Sequence, residues 1–361
     1  MIIRDRVRAI IWLQAIIGLT SLKINEIDAV LDPVDLLYAP RKYADTIRRI
    51  AGEAAYQRML QTFELKQVDD IFKLLYLKGY GAIVRGDAEY PENLEEIDVP
   101  PAILYYKGDI GLLKTKCLAV VGTREPSRYG RDYTEKFVEI LAKCSLTIVS
   151  GLARGIDTIA HRTTLQNYGK TIAVLGSGID VVYPASNAQL YEDIARDGLI
   201  ISEYPLGTPS LAYNFPERNR IISAISQGVL IAEAGLKSGS LITADHAIKQ
   251  NRELFVIPSA LNSPRGQGGN RLLKTCQGAI VLSPDDIIDA LGVKQQPEKR
   301  ASAMQLDFIE EKLIDALSYS EMHFDDLVDL TGLGVSDLNA LLVRMEIVGL
   351  IRKLDNNYYG V

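Results

Sequence analysis

The stretch "TIVSGLARGIDTIAH", residues 147–161, brings glycine, hydroxyl and guanidinium groups together. An apolar run stops at Ser150 and Gly151, turns through Ala153, Arg154 and Gly155, and opens a helical pattern. That layout suits an anion held on backbone N–H groups at a helix start, where unpaired donors and the helix dipole favour negative charge. Four further stretches share this character. "VVGTREPSRYG" places Gly122, Thr123 and Arg124 after an apolar run, with Arg128 and Arg131 near the next helix start, and "VLGSGIDVVYP" adds Gly176, Ser177 and Gly178. "FPERNRIIS" offers Arg218, Asn219 and Arg220, and "AGLKSGSLIT" offers Lys237, Ser238, Gly239 and Ser240 before a helix. Glycine lets an N–H approach an oxyanion, hydroxyls add donors, and arginine adds a planar fork matched to phosphate oxygens. One such loop is weak evidence; five imply several phosphates or one long anion.

Enzymatic signatures are thin by comparison. "GSGIDV" has the first two glycines of a dinucleotide fingerprint, but Val181 stands where the third belongs, and "GLKSGS" lacks the ending of a phosphate-binding P-loop. His161 is expected to pack its helix rather than act as a base, and Asp157 to fix the helix start or a neighbouring loop. Glu203 and Glu233 follow apolar runs and are the best candidates for acid or base work. The preferred reading has each tether an arginine from the next loop. No catalytic residue is assigned, and no cofactor or metal is expected.

The loops need a scaffold. Between about residues 100 and 293, short apolar runs ("CLAVVG", "LTIVSG", "TIAVLG", "LIISEY", "GVLIAEA", "LFVIP", "GAIVL") alternate with helix-length stretches. Near-continuous apolar strands separated by helices predict a mostly parallel sheet covered on both faces. The fold class is α/β, a doubly wound Rossmann-like domain whose ligands lie outside the carboxyl ends of its strands. Residues 1–85 read as a bundle of short helices. The segment "YPENLEEIDVPPAILYYKGD" reads as a connecting extension docked on the sheet. The central domain is set at 86–295 and a polar linker at 296–305. Residues 306–361 follow the order helix, helix, turn, helix, hairpin of a winged helix, with Asn-Asn at the hairpin tip.

Composition narrows the class. At 361 residues with 47% hydrophobic and 24% charged, the chain is an ordinary globular protein of two or three domains. The net charge of −6 argues against a polyanion-coating protein but leaves room for a local basic groove. Charge is also uneven, because residues 306–361 hold eleven acids against four bases while residues 1–85 hold thirteen bases against ten acids. The terminal module is thus expected to be a protein contact or a weak accessory rather than a DNA reader. "GLTSLKINEI" has the outline of a helix-hairpin-helix but lacks its Gly-x-Gly hairpin, so a packing role is preferred for residues 1–85. Three scattered cysteines and three histidines argue against a disulfide framework or structural zinc. The N-terminus lacks a cleavage site and no apolar run spans a bilayer, so a cytoplasmic location is expected.

The motifs "VGTREPSRYG", "SGLARGIDTIAH", "TIAVLGSGIDVVYP", "ISEYPLGTPSLAYNFPERNRIIS", "AEAGLKSGSLITADHA" and "FVIPS" stand in the order and spacing of the bacterial DNA-processing (DprA, or Smf) family. The resemblance covers roughly residues 88–284. Residues 1–85 resemble, less distinctly, the family's SAM-like domain, and the C-terminal part its winged helix. The resemblance implies binding of single-stranded DNA without sequence preference, protection of incoming strands in natural transformation, and loading of the RecA recombinase. It also implies a homodimer formed through the Rossmann-like domain. The family's phosphate contacts fall on Gly122, Thr123 and Arg124, on Ser150, Gly151, Ala153 and Arg154, on Arg218 and Arg220, and on the turn from Ser238 to Thr243. Gly176, Gly178, Asn219, Lys237 and Gly239 complete the expected DNA-binding set. Two positions depart from the family's usual pattern, Ala185 after "VVYP" and Ser259 after "FVIP".

An alternative is an enzyme, a nucleotide phosphoribohydrolase of the lysine-decarboxylase-like family. Arg220 and Glu233 would take the roles of its arginine and catalytic glutamate, but its Pro-Gly-Gly-x-Gly-Thr motif is absent. A third reading, a winged-helix regulator with a ligand-sensing core, predicts duplex sequence preference, which the acidic terminal module disfavours.

Overall fold

The structure, a computed structural model, describes residues 2–62, 66–294, 308–347, 350–354 and 357–360. It divides into two compact units, residues 1–296 and 297–361. The expected linker at 296–305 lies outside the described residues, as does Asn356 of the expected hairpin tip.

The first unit opens with α1 (Ile2–Ile11), which runs into a π-helical turn over Trp12–Ile16. Five helices follow: α2 (Ser21–Asp28), α3 (Pro33–Tyr38), α4 (Ala44–Ala51), α5 (Glu53–Gln61) and α6 (Lys66–Leu77). Breaks fall where the backbone demands them. Asp32 caps α3, accepting the Val34 N–H at 2.9 Å just before Pro33, and Gly52 at φ +90° separates α4 from α5.

The chain then builds a nine-stranded sheet: β1 (Gly81–Val84), α7 (Glu92–Glu95), β2 (Ile103–Gly108), β3 (Cys117–Val121), α8 (Arg128–Ala142), β4 (Thr147–Ser150), α9 (Ile156–Gln166) and β5 (Lys170–Leu175). It continues through α10 (Ala188–Asp197), β6 (Leu199–Ser202), α11 (Asn214–Ala224), β7 (Gly228–Ile231), α12 (Ser240–Lys249), β8 (Glu253–Val256), α13 (Gln267–Lys274), β9 (Ala279–Ile280) and α14 (Pro284–Leu291). The strand order is β1-β2-β6-β5-β4-β3-β7-β8-β9, parallel from β6 to β9, with β2 antiparallel to β6 and β1 antiparallel to β2. All seven apolar runs of the sequence became these parallel strands. The docked extension holds α7 and β2, while β1 falls within residues 1–85, which were expected to be helical; these two antiparallel strands extend one side of the sheet.

Both faces are covered. Leu118, Val120, Ile148 and Leu230 pack against Phe137 and Val138 of α8, Ile156 of α9 and Ile287 of α14. Alternate residues Ala119, Val121, Val149 and Val229 pack on the other face with Ile221 and Ile222 of α11 and Ala244 of α12. The helical region shares a core with the sheet: Trp12, Ile24 and Leu36 belong to one buried cluster with Tyr105, Leu175, Tyr191 and Ile200.

In the second unit α15 (Phe308–Tyr319), β10 (Met322–His323), α16 (Phe324–Thr331), α17 (Val335–Ile347), β11 (Arg352–Lys353) and β12 (Tyr358–Gly360) form a winged helix with strand order β10-β12-β11. Its core joins Leu313, Leu327, Leu338, Leu342 and Tyr359. Gly332 at φ +69° ends α16 in the left-handed conformation.

Candidate nucleic-acid interface

The central strand β3 is flanked by β4 on one side and β7 on the other, all parallel. The chain leaving β3 enters α8 on one face, and the chain leaving β7 enters α12 on the other, so the two loops diverge. Diverging loops open a crevice outside the carboxyl ends of the strands, the usual ligand position in such sheets. Here it is a groove of about 630 Å3. The structure brings Gly122, Thr123, Arg124, Ala153, Arg218, Asn219, Lys237, Ser238 and Gly239 together along it.

Backbone contacts fix the Arg124 loop. A Cβ on Gly122 would lie 2.5 Å from Ile156 Cγ1 and 2.8 Å from the Glu233 carbonyl, so only glycine lets the three loops close up. The Thr123 N–H donates to that carbonyl at 2.8 Å, and the Thr123 carbonyl accepts the Ile156 N–H at 3.2 Å. Beneath lies Gly155 at φ +79°, where a Cβ would strike the Thr123 carbonyl and the Arg124 backbone. Beyond the loop, Ser127 donates through its N–H (2.8 Å) and its hydroxyl (2.6 Å) to the Glu233 carboxylate. The Ser127 hydroxyl also accepts the Gly130 N–H at 3.0 Å, capping α8. Arg124 itself stays exposed, its guanidinium 5.5 Å from the centre of the Phe215 ring.

Arg218 forms the buried floor, 3% exposed. Its guanidinium donates to the carbonyls of Gly151, at 2.9 Å, and Val174, and its Nε to Asn219 at 3.2 Å. Burial pushes its pKa down to about 10; Asp157 opposes that shift and Arg124 adds to it, and the group stays charged near neutral pH. Asp157 is buried too and accepts the N–H groups of Gly151 (3.1 Å) and Ala153 (3.3 Å). Burial raises its carboxyl pKa, and Arg218 pulls it back.

The far wall is the start of α12. Ser238 and Ser240 share a hydroxyl contact at 2.8 Å, and the Asn219 amide reaches the Gly239 carbonyl at 3.4 Å. Exposed Lys237 and Arg265 complete the rim. Four cations, Arg124, Arg218, Lys237 and Arg265, thus face a groove whose one lining carboxylate among the described residues is buried Asp157. Arg265 was missed from the sequence. The signal was an arginine between Pro264 and Gly266 in a loop following a strand, but it lay outside every motif used.

Six expected residues fall elsewhere. Ser150 is buried and donates to the Val120 carbonyl at 2.7 Å. Gly151 N–H is occupied by Asp157, so the amide cradle expected at this loop is filled by the chain's own carboxylate. Arg154 is exposed but outside the groove lining. Gly176 leaves space for the Phe215 ring, and Gly178 N–H donates to the Thr208 carbonyl at 2.9 Å, so both serve loop packing. Arg220, two residues along α11 from Arg218, points to a different cavity and pairs with Glu203 at 2.8 Å. The expected arginine tether therefore holds for Glu203. Glu233 holds a serine instead. His161 is a core residue: its Nδ1 lies 2.7 Å from Thr171 Oγ1.

The family model described as DNA recombination-mediator protein A matches residues 81–292, and that of the DprA winged helix domain matches residues 297–357. The chain is 36% identical over 305 residues to Protein Smf of Synechocystis sp., covering 73% of this chain and 76% of that protein. The X-ray structure of DNA processing protein A from Streptococcus pneumoniae superposes with a TM-score of 0.69 at 35% identity, covering 78% of this chain and 97% of the other. DNA processing protein A from Helicobacter pylori, whose structure addresses its single-stranded DNA binding mode, gives a TM-score of 0.54 at 35% identity, covering 59% and 95%.

Proposed function

The chain belongs to the DNA recombination-mediator protein A family, the DprA or Smf proteins, and from that premise we propose that its strand-end groove binds single-stranded DNA without cleaving it. One observation carries the reading: four cations of three separate loops and one helix line a single groove at the switch point of the sheet. Successive phosphates supply the charge such a groove needs, and Phe215, beside Arg124 and 5.6 Å from Tyr183, offers a face for a base. The start of α12 adds its dipole and the hydroxyls of Ser238 and Ser240.

The hydrolase alternative loses its support in the side-chain partners. Arg220 is held by Glu203, and both carboxylate oxygens of Glu233 accept from Ser127. Duplex reading by the winged helix is also disfavoured. Arg344, the one cation on α17, is paired with buried Glu310. Family membership alone supports strand protection and RecA loading in the cytoplasm by a homodimer formed through the Rossmann-like region. The test is a comparison of single- and double-stranded oligonucleotides of equal length across a salt series. The reading requires tighter binding of the single strand, with an affinity that falls with salt and weakens in Arg124→Ala. Equal binding of duplex, or no dependence on Arg124, overturns it.

A further inference from the structure

The first turns of α11 bring Phe215, Arg218 and Asn219 to the groove. Of the buried residues of α11, the first two are polar: Asn214 and Arg218 precede Ile221 and Ile222, which pack in the sheet core. The Asn214 amide donates to the Gly176 carbonyl at 3.0 Å, and Arg218 donates to the carbonyls of Gly151 and Val174. A hydrogen bond is directional where apolar packing is not. Polar contacts therefore set how this end of the helix is turned about its axis.

Arg220 grips the same helix from the other side, about 200° round the axis from Arg218. Its Nη2 donates to Glu203 Oε1 at 2.8 Å, and its carbonyl accepts the Gln250 amide, from the turn between α12 and β8, at 3.1 Å. Glu203 is itself held by the N-terminal helices. The same Oε1 accepts the Ser21 hydroxyl at 2.7 Å, and the Glu203 carbonyl accepts the Gln14 amide at 2.8 Å. These two donors are fixed in turn. The Ser21 hydroxyl accepts the Ala102 N–H at 3.1 Å, and Gln14 Oε1 accepts the Tyr105 hydroxyl at 3.1 Å. A continuous chain of contacts thus runs from α2 through the end of β6 to α11, the kind of network that carries coupling between distant parts.

We infer that Arg220 is a positioning residue for DNA binding. Tied to Glu203, it fixes the rotation of α11 that presents Phe215, Arg218 and Asn219 to the strand. Through Glu203 the N-terminal helices support a groove whose described lining they do not enter. The inference rests on the reading of that groove as the single-stranded DNA site. Positioning and direct phosphate contact differ in sign. Were Arg220 a phosphate ligand, removing Glu203 would release a cation and tighten binding; in a positioning role, losing either partner weakens it.

Binding of a fluorescent oligothymidylate to the full chain and its variants, each checked as folded by circular dichroism, tests it. Glu203→Ala and Arg220→Met each weaken binding by about tenfold, and the double variant loses no more than either alone, because all three break one contact. Arg220→Lys, which keeps a cation opposite Glu203, stays within about threefold of the native chain. Arg124→Ala combined with Arg220→Met multiplies the two losses, since those sites are separate. Met59→Ala, buried in the helical core on α5, lowers stability and leaves affinity unchanged. The inference is overturned if Glu203→Ala binds as tightly as the native chain or more tightly. It is equally overturned if the double variant loses the product of the single losses, or if Met59→Ala costs as much affinity as Glu203→Ala. Failure of the groove reading looks different: Arg124→Ala then leaves binding unchanged, and this inference falls with it.

Discussion

The Glu203 carboxylate accepts the Arg220 guanidinium at 2.8 Å, with the two side chains only 10% and 15% exposed. The same carboxylate oxygen takes the Ser21 hydroxyl at 2.7 Å, and the Glu203 carbonyl takes the Gln14 amide at 2.8 Å. A residue at the end of β6 thus ties the N-terminal helices to α11, the helix that carries Arg218 and Asn219 into the groove.

Removing one member of this pair leaves a buried charge unmatched. Glu203→Ala is expected to destabilise the chain by about 3 kcal/mol, and the double change Glu203→Leu with Arg220→Met by clearly less. Urea unfolding of the three proteins measures both. A smaller loss for the single variant than for the double would remove the claim that the pair is buried and coupled.

Arg124→Ala should weaken single-stranded DNA binding and lower the slope of log affinity against log salt by about 0.7, the contribution of one phosphate on a single strand. Arg265→Ala should act similarly, since Arg265 is exposed on the same rim. Filter binding at several salt concentrations reads both quantities.

Gly155 has φ +79°, and a Cβ there would meet the Thr123 carbonyl and the Arg124 backbone, 2.7 Å away at its carbonyl carbon. Gly155→Ala should therefore cost at least about 1 kcal/mol and displace the Arg124 loop, so DNA affinity falls along with stability. An alanine variant with native stability and affinity would show that the loop is not held from below.

Burial, reinforced by the charge of Arg218, holds the His161 imidazole down at about 3. Thr171 donates its hydroxyl to the Ile148 carbonyl at 2.7 Å, so it can only accept from His161 Nδ1, which fixes the neutral tautomer. The folded state binds the imidazole proton more weakly than the unfolded state. Stability supplied by neutral His161 is full above the unfolded value near 6.5 and is lost as pH falls from there towards 3, at about 1.4 kcal/mol per pH unit. Asp157, with its raised pKa, works the other way, taking up a proton in the folded state as pH falls through that value. His161→Gln should flatten the slope between pH 6 and pH 4.5 in urea unfolding, and an unchanged slope would assign it to other groups.

A fragment beginning at residue 86 loses Trp12, Ile24 and Leu36 from the cluster that covers Tyr105, Tyr191 and Ile200. It should be markedly less stable than residues 1–296, with exposed apolar surface that binds a hydrophobic dye. A fragment 86–296 as stable as 1–296 would show that the shared core contributes little.

The parallel strands and the loops after them were legible because a strand buried on both faces is an unbroken apolar run, and "CLAVVG" or "TIAVLG" has no other reading at that length. The antiparallel strands β1 and β2 were less visible. Each follows a proline- or glycine-marked stretch, and antiparallel pairing at a sheet edge leaves a weaker pattern. At the site, motif position alone selected the Arg124 loop, Arg218 and Asn219 of α11, and the start of α12, all of which line the groove. It also selected Arg220, because two arginines separated by one residue look equivalent in sequence although a helix turns them about 200° apart.

What the sequence determined by itself was the order of strands and helices and the kind of groups at the strand ends. Both are local, set by apolar periodicity and by the backbone needs of glycine and the side-chain chemistry of arginine. Only the tertiary structure decided which of those groups remain open. Glu203 takes Arg220, and Glu233 takes Ser127, more than a hundred residues away, while Arg265 joins the rim from the loop after β8. Hydrogen-bond satisfaction in a buried setting is settled by partners distant in the chain, so free and occupied donors cannot be told apart until the chain has folded.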